Sequence, residues 1–224
     1  MQPYYQDDHV TLYHGDCREI TEWLTGDVMV TDPPYGMAYK TNRRGPRWET
    51  HATADRARCI VGDDDTTLRD SALALWADRP ALVFGTWKRP RPQGTKHVLT
   101  WLKGDHLGMG DLSVPWRPNT EEVYVLGSGF TGHRGSSVLD YPGPVSWATK
   151  GRVHQHQKPV ELMRDLIGKC PPGVVVDPFA GSGSTLRAAK DLGRRAIGVE
   201  LDERYCEIAA ERLWQEVLDF GGVA

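Results

Sequence analysis

The chain has 224 residues, 39% hydrophobic and 25% charged, which is enough for one well-filled core and too little for two full domains. Its formal net charge of -3 excludes a partner held by overall positive charge, so any nucleic-acid contact must come from local clusters of lysine and arginine. The four cysteines, Cys17, Cys59, Cys170 and Cys206, lie far apart and form no Cys-x-x-Cys pair, so they suggest neither a zinc knuckle nor a disulfide framework. No apolar run nears the roughly 18 residues of a membrane helix and the opening residues do not resemble a secretory leader, so a soluble, cytoplasmic protein with reduced thiols is expected.

In chain order, His9 to His14 reads as a short strand, followed by a helix with Ile20, Trp23 and Leu24 on one face that ends at Gly26. A second strand, Val28-Met29-Val30-Thr31, stops at Asp32-Pro33-Pro34-Tyr35. The stretch from Gly36 to Gly62 lacks apolar periodicity and carries Lys40, Arg43, Arg44 and Arg47 beside Trp48, so it is expected to be a long basic loop. Thr66 to Ala77 has the spacing of an amphipathic helix, and Ala81 to Phe84 is the buried strand after it. Lys88, Arg89, Arg91 and Lys96 follow that strand's end. His97 to Lys103 and Glu121 to Leu126 read as two strands of a hairpin, and Gly127 to Gly151 as an irregular, inserted segment. The remainder alternates: helix Lys158 to Gly168, strand Val174 to Asp177, helix Thr185 to Leu192, strand Ala196 to Glu200 and helix Asp202 to Leu218. Such alternation implies an α/β fold, a largely parallel sheet with helices on both faces.

Two strand ends carry the chemistry. At Asp32-Pro33-Pro34-Tyr35 the prolines lack N–H donors, so pairing stops and leaves a carboxylate, a free carbonyl and an aromatic ring side by side, a set suited to a planar amine. At Asp177-Pro178-Phe179-Ala180-Gly181-Ser182-Gly183-Ser184-Thr185 a glycine-rich turn lets backbone approach a ligand at a helix N-terminus. Glu200 follows at about the 20-residue interval where an acidic group meets ribose hydroxyls, a pattern that a nicotinamide enzyme would also satisfy. His154 and His156 alternate, but no third or fourth ligand of fitting spacing accompanies them, so no metal is expected.

The two motifs together resemble the DNA amino-methyltransferases, and the order of the catalytic tetrapeptide before the glycine loop resembles the circularly permuted beta class. The resemblance implies a Rossmann-like mixed sheet of seven strands, one antiparallel, and a methyl transfer from S-adenosylmethionine to an exocyclic nitrogen in double-stranded DNA. It places Asp32, Pro33, Pro34 and Tyr35 in catalysis. It puts Asp177, Phe179, Gly181, Ser182, Gly183, Ser184 and Thr185 around the cofactor, with Glu200 on its ribose and Asp16 at its adenine edge. Asp16 with Glu19 also reads as a capping box for the next helix. His154-Gln155-His156-Gln157-Lys158-Pro159 resembles the family's His-Pro-x-Gln-Lys-Pro element and carries His154 and Lys158 over as cofactor-side contacts, although Gln155 replaces a proline.

Aspartate at the first place of the tetrapeptide favours adenine N6, with cytosine N4 as the alternative and a catalytically silent DNA- or cofactor-binding protein as another. A base within a duplex must flip out to reach such a pocket. Lys40, Arg43, Arg44, Arg47, Lys88, Arg89, Arg91 and Arg134 are the expected DNA contacts, with about 127–153 as a small target-recognition insert. A companion restriction endonuclease, and a monomer or homodimer, fit the family context.

Overall fold

The computed structural model describes residues 1–38, 62–104, 110–143 and 157–215. Among these residues nine strands form one sheet: β1 (Tyr5–Gln6), β2 (Val10–His14), β3 (Val28–Thr31), β4 (Ala81–Gly85), β5 (His97–Leu102), β6 (Thr120–Leu126), β7 (Val138–Asp140), β8 (Val175–Asp177) and β9 (Ala196–Glu200). Their spatial order is β1-β2-β9-β8-β3-β4-β6-β5-β7. From β2 to β4 all neighbours are parallel, whereas β6 runs antiparallel to both β4 and β5. That is the mixed sheet expected from the sequence, with two short strands added at its edges.

Those additions have local causes. β1 pairs antiparallel with β2, and the turn between them is tied by Asp7, whose Oδ1 accepts the His9 and Val10 N–H groups while Oδ2 meets Lys190 at 2.6 Å. β7 lies within the segment expected to be irregular, pairs parallel with β5, and is followed by Tyr141, whose carbonyl accepts the Trp101 indole N–H at 2.7 Å. Strands of two and three residues are too short to leave a periodic signature.

Alternate residues of each central strand face opposite sides, as the pleat requires. Val28, Val30 and Val175 join one core with helices α2 (Val160–Gly168), α3 (Ser184–Asp191) and α4 (Glu203–Trp214). Met29 and Val176 join the other, against α1 (Thr67–Trp76). Trp23 and Trp76 stack there at 5.8 Å, and the Arg79 guanidinium lies 3.4 Å above the Trp76 ring.

One predicted helix is replaced. Between Gly15 and Gly26 the chain makes a tight turn and then a single 3₁₀ turn, Glu22–Thr25. The connection must climb back down the height of the sheet in few residues, and a 3₁₀ turn rises about 2.0 Å per residue against about 1.5 Å for an α-helix. Trp23 is fully buried there and its indole N–H donates to the Cys17 carbonyl at 2.9 Å. Asp16 therefore caps no α-helix; its Oδ1 accepts the Arg18 N–H. The last helix ends at Trp214, and the expected extension over 216–218 lies outside the described residues.

Replacing Trp23 by Ala should remove the stacked ring and the indole bond together. A loss of about 3–5 kcal/mol in urea-unfolding free energy is expected, read from the midpoint shift at unchanged denaturant slope.

Candidate functional site

Parallel pairing of β3 with β8 brings the two strand-end motifs to one edge of the sheet. The contact is direct: the Thr31 hydroxyl donates to Asp177 Oδ1 at 2.6 Å, across 146 residues of sequence. β9 follows at the same edge, where the Gly15 N–H donates to the Glu200 carbonyl at 2.9 Å and so adds the Asp16 turn to the rim. Asp32, Asp177, Glu200 and Asp16 thus line the carboxyl ends of four neighbouring parallel strands, the edge where ligands bind open α/β sheets.

Around Asp32 the structure builds a closed network of charge. Lys158 Nζ lies 2.6 Å from Asp32 Oδ2, 3.1 Å from Glu121 Oε2 and 3.2 Å from the Tyr35 hydroxyl. Lys103 Nζ meets Glu121 Oε1 at 3.0 Å. The Tyr35 hydroxyl stands 2.9 Å from Asp32 Oδ1 and 2.8 Å from Glu121 Oε2, and having one hydrogen it donates to only one of them at a time. Three rings enclose the Lys158 ammonium, with centroids 5.0 Å (Phe84), 5.4 Å (Tyr35) and 5.7 Å (Trp101) away. Cation–π attraction and two carboxylates together stabilise a charge whose side chain is only 7% exposed.

The two carboxyl groups are driven apart. Burial raises the Asp32 pKa and Glu121's charge adds to it, and the pull of Lys158 does not cancel them. Burial would raise Glu121 as well, but Lys158 and Lys103 outweigh it and hold that group at about 2. Lys158 itself moves up, because Asp32 and Glu121 overcome the desolvation that would lower it. Glu121 is the permanently ionised member and Asp32 the adjustable one.

The glycine loop is held from behind. Asp177 Oδ1 also accepts the Phe179 N–H at 3.1 Å, and burial pushes this carboxyl up to about 6. Glu200 Oε2 accepts the Gly181 N–H at 2.7 Å and Oε1 the Asp202 N–H at 2.8 Å; burial raises its pKa too. Gly181 and Gly183 take positive φ of 50° and 78°. A Cβ at Gly181 would come no nearer than 4.0 Å to its nearest neighbour, the Phe179 carbonyl, whereas one at Gly183 would press on Ala209 at 3.0 Å. Ser182, Ser184 and Thr185 are buried, and Ser184 Oγ accepts from Arg212 at 3.0 Å on the α4 side. Phe179 packs partly against the second core.

Of the other residues singled out in the sequence, Pro33 is buried and Pro34 half-buried beside Asp32. Lys158, expected on the cofactor side, contacts the Asp32 motif. Asp16 is occupied by Arg18, which approaches both its oxygens. On the loop after β4, Lys88 is exposed, Arg91 pairs with Glu122 at 2.7 Å, and the buried Arg89 Nε has no hydrogen-bond partner among the described residues. Arg134 is not brought to this edge: its neighbour His133 is held through its carbonyl by Lys169 at the far end of α2. Lys40, Arg43, Arg44, Arg47 and His154 lie outside the described residues. Among the described residues no group of three or more His, Cys, Asp or Glu side chains could hold a metal ion, and no helix is long and apolar enough to cross a membrane.

Sequence reasoning missed Glu121, Lys103 and Trp101. The signal was present at Glu121-Glu122, two acidic residues opening an apolar strand, since alternation sends one to each face: Glu121 to the Asp32 pocket and Glu122 to Arg91.

Residues 86–211 match the family model described as DNA methylase, N6/N4 type. A type II methyltransferase of Bacillus subtilis, M.BglII, is 34% identical over 247 residues, covering 90% of this chain and 68% of its own. The chain belongs to the N6/N4 DNA methylase family. In solved structures, the M1.HpyAVI–SAM complex aligns with a TM-score of 0.64 at 21% identity, covering 92% of this chain and all of that one. The cytosine-N4-specific PvuII DNA methyltransferase aligns at 0.70 and 15%, covering 96% and 90%. The fold is that of the DNA methyltransferases.

A buried carboxyl raised to about 6 is a stability burden: the folded state binds the extra proton between about pH 4 and 6, so stability falls as pH rises through that window. Asp177→Asn keeps the acceptor and removes the charge. It should be more stable than the parent at pH 7 by up to about 3 kcal/mol, with the gain gone near pH 4 in paired urea titrations.

Proposed function

We propose that this DNA methylase transfers a methyl group from S-adenosylmethionine to the N6 amino group of adenine at specific sites in double-stranded DNA, and that it is a permuted, beta-class member. The single observation that carries the reading is the shared edge of β3 and β8, joined by the Thr31–Asp177 bond, which sets an amine-binding motif beside a glycine cradle.

The residues present fit the cofactor. The uncrowded approach to Gly181, the absence of a side-chain cap on α3 and the clasped Glu200 carboxylate suit a ligand with a ribose diol and a charged amino-acid end. Gly181, Ser182, Gly183 and Thr185 would line it, Glu200 would take the ribose, and Asp16 stands at the same rim. Bound there, S-adenosylmethionine supplies a methyl group activated by its sulfonium.

The remaining work falls to the protein. An exocyclic amine is a poor nucleophile because its lone pair is delocalised into the ring. Asp32 Oδ and the Pro33 carbonyl each accept one N–H and draw the nitrogen toward a tetrahedral shape, with positioning supplying much of the acceleration. Tyr35 stacks on the base, and the target leaves the duplex to reach it. As positive charge builds on nitrogen, the Asp32 carboxylate takes the surplus proton. Lys158 acts as a positioning residue: it favours the ionised form of Asp32 against burial, and Glu121, itself paired with Lys103, holds Lys158.

Incubation with tritiated S-adenosylmethionine and mixed-sequence duplex DNA, then digestion to nucleosides, is expected to give label in N6-methyladenine. Label in N4-methylcytosine would move the reading to that base, and DNA binding without label would leave a silent relative. Asp32→Ala should abolish transfer and spare cofactor affinity. Removing the cation in Lys158→Gln raises the Asp32 pKa further, so the acid limb of the kcat/KM profile should move to higher pH. Glu121→Gln removes a like charge from Asp32 and should move the limb the other way.

A further inference from the structure

The loop leading into β6 carries features that the methyl-transfer reading does not use. Pro115, Trp116, Arg117 and Asn119 line an open hollow, and Trp116 is 77% exposed. Leu112 on the same loop is 78% exposed, and Trp87, on the loop after β4, is 71% exposed. Isolated exposed apolar residues are ordinary, but two exposed indoles at one edge of a sheet are not explained by core packing.

The hollow is tied through the backbone to the candidate active site. Asn119 lies two residues before Glu121, about 7 Å along an extended strand, and the Asn119 carbonyl accepts the Lys103 N–H at 2.8 Å. Glu121 and Lys103 are themselves members of the Asp32 network. The two loops leave the same end of paired strands, with Gly85 opposite Glu122. The Asp111 carboxyl is lowered chiefly by the Ser113 bonds and also by the Lys88 charge, and the Lys88 ammonium lies 5.7 Å from the Trp87 ring. Lys88, Arg89, Arg91 and Lys96 give the 86–96 segment four positive charges and no acidic residue, with Arg91 alone of these answered at 2.7 Å by Glu122 among the described residues. Positive charge interleaved with exposed aromatic faces is the chemistry of single-strand nucleic-acid contact.

We propose that this hollow is a second nucleotide subsite, in which Trp116 stacks on a base next to the target in the DNA strand while Asn119 and Arg117 face that base's edge. The inference rests on the DNA methyltransferase reading above. It gives the β5–β6 loop a share in sequence preference: an amide pairs best with adenine and a guanidinium with guanine, so the flanking base is expected to be a purine. Trp87 and Lys88 would support the strand from the neighbouring loop, one by its ring face and the other by its charge.

The test uses the full chain, a mixed-sequence duplex pool and tritiated S-adenosylmethionine, with cofactor affinity measured by calorimetry as the folding control. Trp116→Ala should raise KM for DNA about tenfold, a typical cost of losing one stacked base, with cofactor affinity unchanged. Trp116→Phe should recover most of it. Sequencing the methylated products should show a purine beside the target in the parent and a weakened preference there in Asn119→Ala. An unchanged KM in Trp116→Ala, or a rise in Trp116→Phe as large as in Trp116→Ala, would overturn the subsite while leaving the methyltransferase reading intact. A parent protein that neither binds nor labels DNA would bring down that reading and the subsite with it.

Discussion

The site depends on one adjacency: β3 and β8, remote in sequence, lie side by side and parallel. Because they run the same way, their ends emerge on the same edge, and whatever each end carries is brought within reach of the other. The Thr31–Asp177 bond fixes this at the last residue of each strand. A slip of one residue in either strand would turn its apolar residues to the wrong core and its terminal carboxylate away from the cleft. The same register that fills the two cores therefore aligns the chemistry, and packing and function are not separable here.

A second level of organisation lies in how charge is handled behind that edge. A buried lysine, two carboxylates and a second lysine balance one another, yet the balance is uneven. Glu121 is served by Lys103 as well as Lys158, and Asp32, among the described residues, by Lys158. The unevenness separates their acidities, which is the pattern by which proteins assign different roles to neighbouring carboxyl groups. Three aromatic rings around Lys158 restrict its movement as well as stabilising its charge.

Much of this was legible in the chain itself. The strand ends at Asp32 and Asp177 were visible because proline and glycine punctuate apolar runs there, and the alternation of elements after Lys158 gave the parallel half of the sheet. Three kinds of feature were not legible. Edge strands as short as Tyr5–Gln6 and Val138–Asp140 have no period to detect. The turn at Glu22–Thr25 showed helical spacing because Ile20 and Trp23 are both buried, but backbone geometry follows from the distance to be covered, which spacing does not encode. The contacts of Lys158 with Asp32 and Glu121 span 126 residues in the first case, and such cross-sheet pairs follow only from the strand order.

The segment after Tyr35 leaves the site through a clasp. The Asp63 carboxylate accepts the Gly36 N–H at 2.7 Å and the Met37 N–H at 3.1 Å, and the Ala38 N–H donates to the Asp63 carbonyl. Gly36 has a φ of +74°, and a Cβ there would strike the Asp65 backbone at 2.5 Å, so the exit admits no other residue without strain. The departure and return points are thus stapled together at Asp63. The clasp therefore sets where Asp32-Pro33-Pro34-Tyr35 is anchored, whatever the length of chain between its two sides.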